Sequence, residues 1–256
     1  MKKRISLGRR RFLARAAQFS GLFLLAGCDT LSRKAWFEGL LSSAEGLTQR
    51  AHRLITPRKA MAREYTEADL SPVFPVNGTT HPGTAEYLAW VENNFTDWRL
   101  EVGGRVEQPA RFSLAALRGL PSRTQITRHD CVEGWSAIGK WKGVPLRLIL
   151  EQVRPRPEAR YVVFHSADPD ELGHYYYESI DFEEAYHPQT ILAYDLNDQP
   201  LPIGNGAPLR LRLERQLGYK MAKYIMRIEL VERFDTLAGG KGGYWEDQGY
   251  EWYAGI

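Results

Sequence analysis

Cysteine is nearly missing from this chain: 256 residues hold two, Cys28 and Cys131. The two sit in unrelated contexts, so no disulfide is expected, and a four-cysteine zinc or iron–sulfur site is excluded. There is no Cys-x-x-Cys-His haem attachment and no Gly-x-Gly-x-x-Gly dinucleotide fingerprint. The chain therefore carries neither an attached c-type haem nor the usual nicotinamide site. Long apolar runs are lacking as well. Phe19 to Ala26 is too short, and too interrupted by glycine, to be a convincing membrane span. Surplus positive charge disappears once the N-terminus is set aside. The formal net charge is +3, but residues 1–27 carry seven Lys/Arg and no acid, leaving 27 basic against 31 acidic residues, about −4. That balance does not suit a nucleic-acid binder. What is present is ordinary globular composition, 43% hydrophobic and 25% charged, enough for one sizeable domain or two small ones.

Three stretches follow from the pattern. Residues 1–28 read as a targeting segment. Gly8-Arg9-Arg10-Arg11-Phe12-Leu13 resembles a twin-arginine export signal, and Leu25-Ala26-Gly27-Cys28 resembles a lipoprotein box with Cys28 as the lipidated residue. Together they predict the periplasmic face of the inner membrane. Asp29 after Cys28 agrees with retention there. Residues 29–63 read as an amphipathic linker. Trp36, Phe37, Leu40, Leu41, Ala44, Leu47, Ala51, Leu54 and Ile55 recur at helical spacing, Ser32 is a candidate cap, and Pro57 ends the run. With seven basic residues against Asp29, Glu38 and Glu45, this helix suits a bilayer surface, a membrane partner, or its own domain.

Residues 64–256 form the globular domain. Short strands are expected at Trp98 to Val102, Tyr161 to Phe164, Tyr175 to Ile180, Ile191 to Leu196 and Ile225 to Val231, with Gly103-Gly104 as a turn. Leu209, Leu211 and Leu213 alternate with Arg210, Arg212 and Glu214, a strand with one wet or functional face. Ser113, Pro145 and Asp181 open short helices, Leu114 to Arg118, Leu146 to Gln152, and one ending at Ala185. Many short strands with few helices predict an α+β fold. The tail, Gly239 to Ile256, holds Tyr244, Trp245, Tyr250, Trp252 and Tyr253, and reads as an aromatic strap or a border of the active-site mouth.

The chemistry centres on Arg128-His129-Asp130-Cys131-Val132-Glu133-Gly134-Trp135-Ser136. A strand enters it at Gln125, and Glu133 to Lys142 reads as a loop leaving. A cysteine at a strand end, with a cation three residues before it, suits a soft metal ligand or a nucleophile. Glu133 and Arg128 are candidates to orient substrate or move protons. A Cys131/His129 thiol pair remains an alternative, as does a non-catalytic lipoprotein that binds a partner.

This segment, with Trp141-Lys142-Gly143-Val144-Pro145-Leu146 after it, resembles the metal-binding segment of the sulfite oxidase family, including its bacterial periplasmic members. The resemblance runs from about Ser71 to Val231. It implies a sulfite oxidase-type fold and a molybdenum–molybdopterin cofactor, one pterin per metal, with Cys131 as the metal thiolate. By the same resemblance Asn77, Thr80 and His81 lie near pterin and metal, and Ser166 lies near the cofactor. Asn205 and Arg210 belong to a family motif, and Met221, Ala222 and Lys223 to a phosphate-side loop. The implied activity is oxygen-atom-transfer redox chemistry on methionine sulfoxide, sulfite, or another small S- or N-oxide, free or protein-bound. Larger members add a dimerisation domain or a haem domain. This chain has room for neither after Val231, so a monomer is expected. Its electrons are expected from a b-type haem membrane protein or a periplasmic cytochrome.

Overall fold

The computed structural model describes residues 35–256; the expected leader, Cys28 and the Ser32 cap lie outside the described residues. The chain divides into two compact units, Met1–His52 and Arg53–Ile256. What is described of the first is a helix, Ala35–Ile55, which runs three residues into the second. It follows the 3.6-residue spacing of its apolar positions. Trp36 and Leu47 are exposed. No helix among the described residues is long and apolar enough to cross a membrane.

The second unit contains ten strands: β1 (Arg99–Gly104), β2 (Ala110–Ser113), β3 (Arg123–Asp130), β4 (Ser136–Pro145), β5 (Tyr161–Pro169), β6 (Tyr175–Asp181), β7 (Ile191–Leu196), β8 (Gln199–Pro200), β9 (Arg210–Arg212) and β10 (Ile225–Val231). One sheet runs β2-β1-β10-β5-β6, with β1 and β10 parallel and the other pairs antiparallel. The other runs β3-β4-β7-β8, with β9 beside β7, all antiparallel. Mixed sheets with few, short helices are the α+β architecture read from the sequence.

The two sheets share one core. Leu100, Val102, Val162, Phe164, Ile228 and Leu230 of the first meet Val144, Leu192, Tyr194 and Leu211 of the second, with the helix Leu146–Val153 between them. Strand alternation then sends the opposite face of the second sheet to a different neighbourhood. Trp141, Ile191 and Ala193 form a small cluster there, capped by Phe74 from an irregular loop. Arg210 and Arg212 lie on that face too, both fully buried. Of the two readings of this strand, a wet face or a functional one, the wet one is set aside: its charged side is interior.

Two local expectations also differ. The Glu133–Lys142 stretch, read as a loop, is mostly strand β4, paired with β3 from Arg123↔Gly143 to Asp130↔Ser136. Gly103-Gly104, read as a turn, stays in β1. Gly104 pairs with Leu230 at φ +82, where a Cβ would also collide with the Leu230 carbonyl. After β7 the chain turns through Asn197 and Asp198, both left-handed, and returns as β8. The caps at Ser113 and Asp181 are made as expected, each side-chain oxygen accepting an N–H three residues on.

Candidate active site

Strand β3 ends by delivering Cys131 to a tight turn. The Cys131 N–H donates to the Trp135 carbonyl at 2.9 Å, and the Gly134 N–H donates to the Cys131 carbonyl at 3.0 Å. Gly134 sits at φ +90, which only glycine adopts without strain. Cys131 is free and buried. Burial pushes its thiol above the ordinary range. The Glu133 N–H and Arg210 act the other way, and the Glu133 carboxylate adds to the rise. Glu133 also staples the neighbouring loop, since its carboxylate accepts the Gly78 N–H at 3.3 Å and the Trp135 indole N–H at 3.0 Å. Phe74, at the start of that loop, packs edge-on against His129, Trp135 and Trp141.

Behind the cysteine lies the buried arginine face of β9. Arg212 pairs with Glu214 at 2.7 Å and donates to His129 Nδ1 at 2.9 Å and to the Met221 sulfur at 2.9 Å. That bond fixes His129 Nδ1 as the acceptor and leaves the proton on Nε2. Burial, with Arg210, Arg212 and Lys223 nearby, holds the imidazole far below its usual pKa, so it is neutral. Its Nε2 has no partner and packs where a Cβ on Gly218 would overlap the ring. His129 is thus bonded to Arg212 rather than to the Cys131 sulfur, which removes the thiol-pair alternative.

Arg210 and Lys223 are different, because neither makes a salt bridge among the described residues, although Asp168 and Glu133 act on Lys223 from farther off. Arg210 is fully buried and donates to the Asn205 carbonyl at 3.1 Å and to Asn77 Oδ1 at 3.3 Å, while its Nε has no partner. Lys223 donates to the carbonyls of Asn77 at 2.7 Å, Gly204 at 2.9 Å, and Thr79. Burial, reinforced by Arg212, brings Arg210 down to about 9. Burial, reinforced by Arg210, brings Lys223 down to about 7. Two buried cations without a salt bridge among the described residues are costly unless an anion joins them.

A cleft of about 270 Å³ opens in front of this group. Asn77, Cys131, Glu133, Met221 and Lys223 from the sequence-predicted set line it. Ser166, Asn205, Arg210 and Ala222 are buried behind that lining; Asn205 holds Arg210, and the Ser166 hydroxyl has no protein partner. Three predicted residues stand apart. Arg128 is exposed and pairs with Asp130 at 2.9 Å. Strand alternation explains it, since His129 and not Arg128 takes the inner face. Thr80 is exposed, and exposed His81 accepts the Gly83 N–H and packs on Tyr87.

Sequence reasoning missed Asp168, Asp170, His174, Tyr176 and Tyr219, which also line the cleft. Of the tail aromatics, Tyr244, Trp245 and Tyr250 form its rim, while Trp252 packs on Tyr161 and Phe234. The tail is therefore both strap and mouth.

A molybdenum–molybdopterin group fits these residues. It needs a soft anionic ligand, cations for its phosphate, and hydrogen-bond partners for its pterin edge. The cleft and the residues buried behind its lining offer a thiol, two cations without a salt bridge among the described residues, and orphaned polar atoms on Ser166, His129 and Arg210.

Comparison with known proteins agrees. Residues 88–236 match the family model described as the oxidoreductase molybdopterin-binding domain. An Azospira oryzae protein, provisionally named as the protein-methionine-sulfoxide reductase subunit YedZ1, is 39% identical over 247 residues, 96% of this chain and 87% of the relative. The protein-methionine-sulfoxide reductase catalytic subunit MsrP of Xanthomonas axonopodis pv. citri is 41% identical over 151 residues. That match spans 55% of this chain and 47% of MsrP. Among solved structures, the sulfane dehydrogenase SoxCD of Paracoccus pantotrophus is similar at TM-score 0.49 and 22% identity, over 54% of this chain and 39% of that one. Both curated relatives are named as subunits, hence as parts of larger assemblies. This chain belongs to the sulfite oxidase-like family of molybdopterin-dependent oxidoreductases, and molybdenum–molybdopterin is its cofactor.

Proposed function

We propose that this oxidoreductase reduces methionine sulfoxide, free or within a protein, with electrons from a b-type haem membrane subunit. The observation that carries the reading is a buried thiol facing an aromatic-rimmed cleft, backed by two buried cations that make no salt bridge among the described residues. The names of the curated relatives support the substrate. When bound, the cofactor supplies two-electron redox chemistry with oxygen-atom transfer. Cys131 holds the metal. Arg210 and Lys223 bind the anionic side of the cofactor, with Asn77, Asn205 and Ser166 positioning it. Met221 forms a wall, and Glu133 fixes the turn that aims the thiol. Tyr244, Trp245 and Tyr250 give a thioether-bearing side chain the aromatic edges that sulfur favours. The overall change is sulfoxide plus two protons and two electrons to thioether plus water.

Export by the twin-arginine signal and a lipid anchor at Cys28 would place this chemistry on the periplasmic face of the inner membrane, beside its electron donor. The exposed Trp36 and Leu47 of the amphipathic helix suit the same surface. Confinement to one plane raises the effective concentration of a membrane-embedded donor.

The reading is tested with purified protein. It is expected to reduce methionine sulfoxide with a reduced one-electron dye and not with NADH. Turnover of sulfite with none of methionine sulfoxide would reverse the substrate assignment. In cells, Cys28→Ala is expected to shift the exported protein to the soluble fraction. A variant that stays wholly with the membrane would make the helix or a partner the anchor.

Arg210→Met and Lys223→Met test the cofactor contacts. A charge-assisted contact is worth about 1.5–3 kcal/mol, so retention should fall roughly 10- to 100-fold. The empty protein should stay folded, because removing a buried cation that makes no salt bridge offsets the acceptors it leaves behind. Molybdenum and pterin are counted after gel filtration. Equal retention in all three proteins would place these residues away from the cofactor.

A further inference from the structure

We propose that Asp168 delivers a proton to the oxygen atom removed from the substrate in the cleft. The inference rests on the sulfoxide-reduction reading above. The chemistry sets the requirement: the sulfur–oxygen bond breaks, the partner subunit's one-electron carrier provides two electrons in turn, and the oxygen leaves as water. Two protons must reach that oxygen inside a largely buried cleft. One comes from the Asp168 carboxylic acid, which becomes a carboxylate and is reprotonated from solvent through the open mouth. The other comes directly from water.

Geometry selects this residue. Strand β5 loses regular pairing with β6 between His165 and Pro169, a bulge that re-aims the side chains between them. Asp168 emerges there, 6% exposed and lining the same cleft as Cys131. Its side chain is tied to Thr79, yet Oδ1 has no protein partner. The mechanism described so far gives that buried oxygen nothing to do. The charged group facing it is Lys223, from the loop before β10. The titratable groups around it are the phenols of Tyr87, Tyr176, Tyr224 and Tyr244, all pushed above the usual tyrosine range by burial and then by neighbouring acidic groups, Asp168 included and, for Tyr224, Tyr87 ahead of it. Those phenols stay neutral where the enzyme works. Burial raises Asp168 to about 6, against the pull of Thr79 and Lys223. The acid is therefore present at mildly acidic pH and lost as pH rises through that value.

The dye-driven assay tests this on the cofactor-loaded protein. Wild type should show kcat/KM falling above about pH 6. Asp168→Asn, which keeps the shape and the Thr79 bond, should lose that limb and about 10²-fold in kcat at equal molybdenum content. Asp168→Glu restores the acid and should recover part of the rate together with the limb. A second reading is independent of turnover. Infrared difference spectra of wild type across pH should show a protonated-carboxyl carbonyl band that titrates near 6 and is missing from Asp168→Asn. An unchanged rate and pH profile in Asp168→Asn overturns the proposal alone, as does a carboxyl band that the substitution leaves in place. Absence of any sulfoxide turnover in wild type overturns the substrate reading and this proposal with it.

Discussion

Replacing Cys131 with serine leaves a folded protein that has lost its turnover and most of its molybdenum. The fold survives because Cys131 contributes little to the core. It ends an edge strand, and the turn it opens is held by backbone bonds to Trp135 and Gly134 that serine makes equally well. The site does not survive, because a hydroxyl oxygen is a harder and far weaker ligand than a thiolate. Losing a single outer partner of a metal ligand already costs about 10- to 100-fold in affinity or activity, so losing the ligand itself is expected to exceed that range. Circular dichroism, molybdenum per chain and dye-coupled turnover separate the two halves of this expectation. Full activity with a full complement of metal would end the assignment of Cys131.

Why Cys131 was legible and Asp168 was not is a matter of local context. The cysteine stands in a dense run of uncommon residue types, Arg-His-Asp-Cys-Val-Glu-Gly-Trp-Ser, where spacing alone carries information. Asp168 stands in Ala-Asp-Pro-Asp, which reads as any polar turn, and the groups that act on it in the fold, Thr79 and Lys223, come from distant segments. Strand β4 was missed for a related reason. Its inward positions run Ala137, Gly139, Trp141, Gly143, and two glycines blank out the period-two signal. Gly143 is needed, since a Cβ there would strike the Leu192 carbonyl at the β4–β7 register shift. The β9 alternation was plain, and only its environment was open. A sequence shows that Arg210 and Arg212 share a face, but not that Phe74 and Trp141 will roof it. Arg128 illustrates the converse, because the same alternation that buries His129 must turn Arg128 outward.

The tail's hold on the cleft depends on a buried triad whose members are far apart in the chain. Lys220 donates to both Glu178 and Glu246, and all three side chains are essentially inaccessible to solvent. Glu178 belongs to β6, Lys220 to the turn before Met221, and Glu246 to the helical turn Tyr244–Asp247 that carries the rim aromatics. The triad thus ties the aromatic rim to the segment that supplies Met221 and Lys223. Burial opposes the ammonium charge, yet the two carboxylates hold Lys220 above the ordinary lysine range. Burial drives Glu178 well above the carboxylate range, although Lys220 pulls it down. Lys220→Met is expected to be strongly destabilising, because breaking a buried pair strands its partner and costs about 3–5 kcal/mol. The pH dependence gives the cause away. A carboxylate raised in the folded state binds more protons folded than unfolded, so stability falls as pH climbs from the unfolded value of about 4.5 toward the folded one. Removing the lysine removes the influence that lowered Glu178, so the variant's deficit should be largest at pH 8 and shrink toward pH 5. Melting curves of both proteins across that range decide it. A constant deficit would mean that Lys220 matters through packing and not charge. The triple change Lys220→Met, Glu178→Gln, Glu246→Gln should recover much of the loss, since neutral side chains of similar shape leave no charge behind.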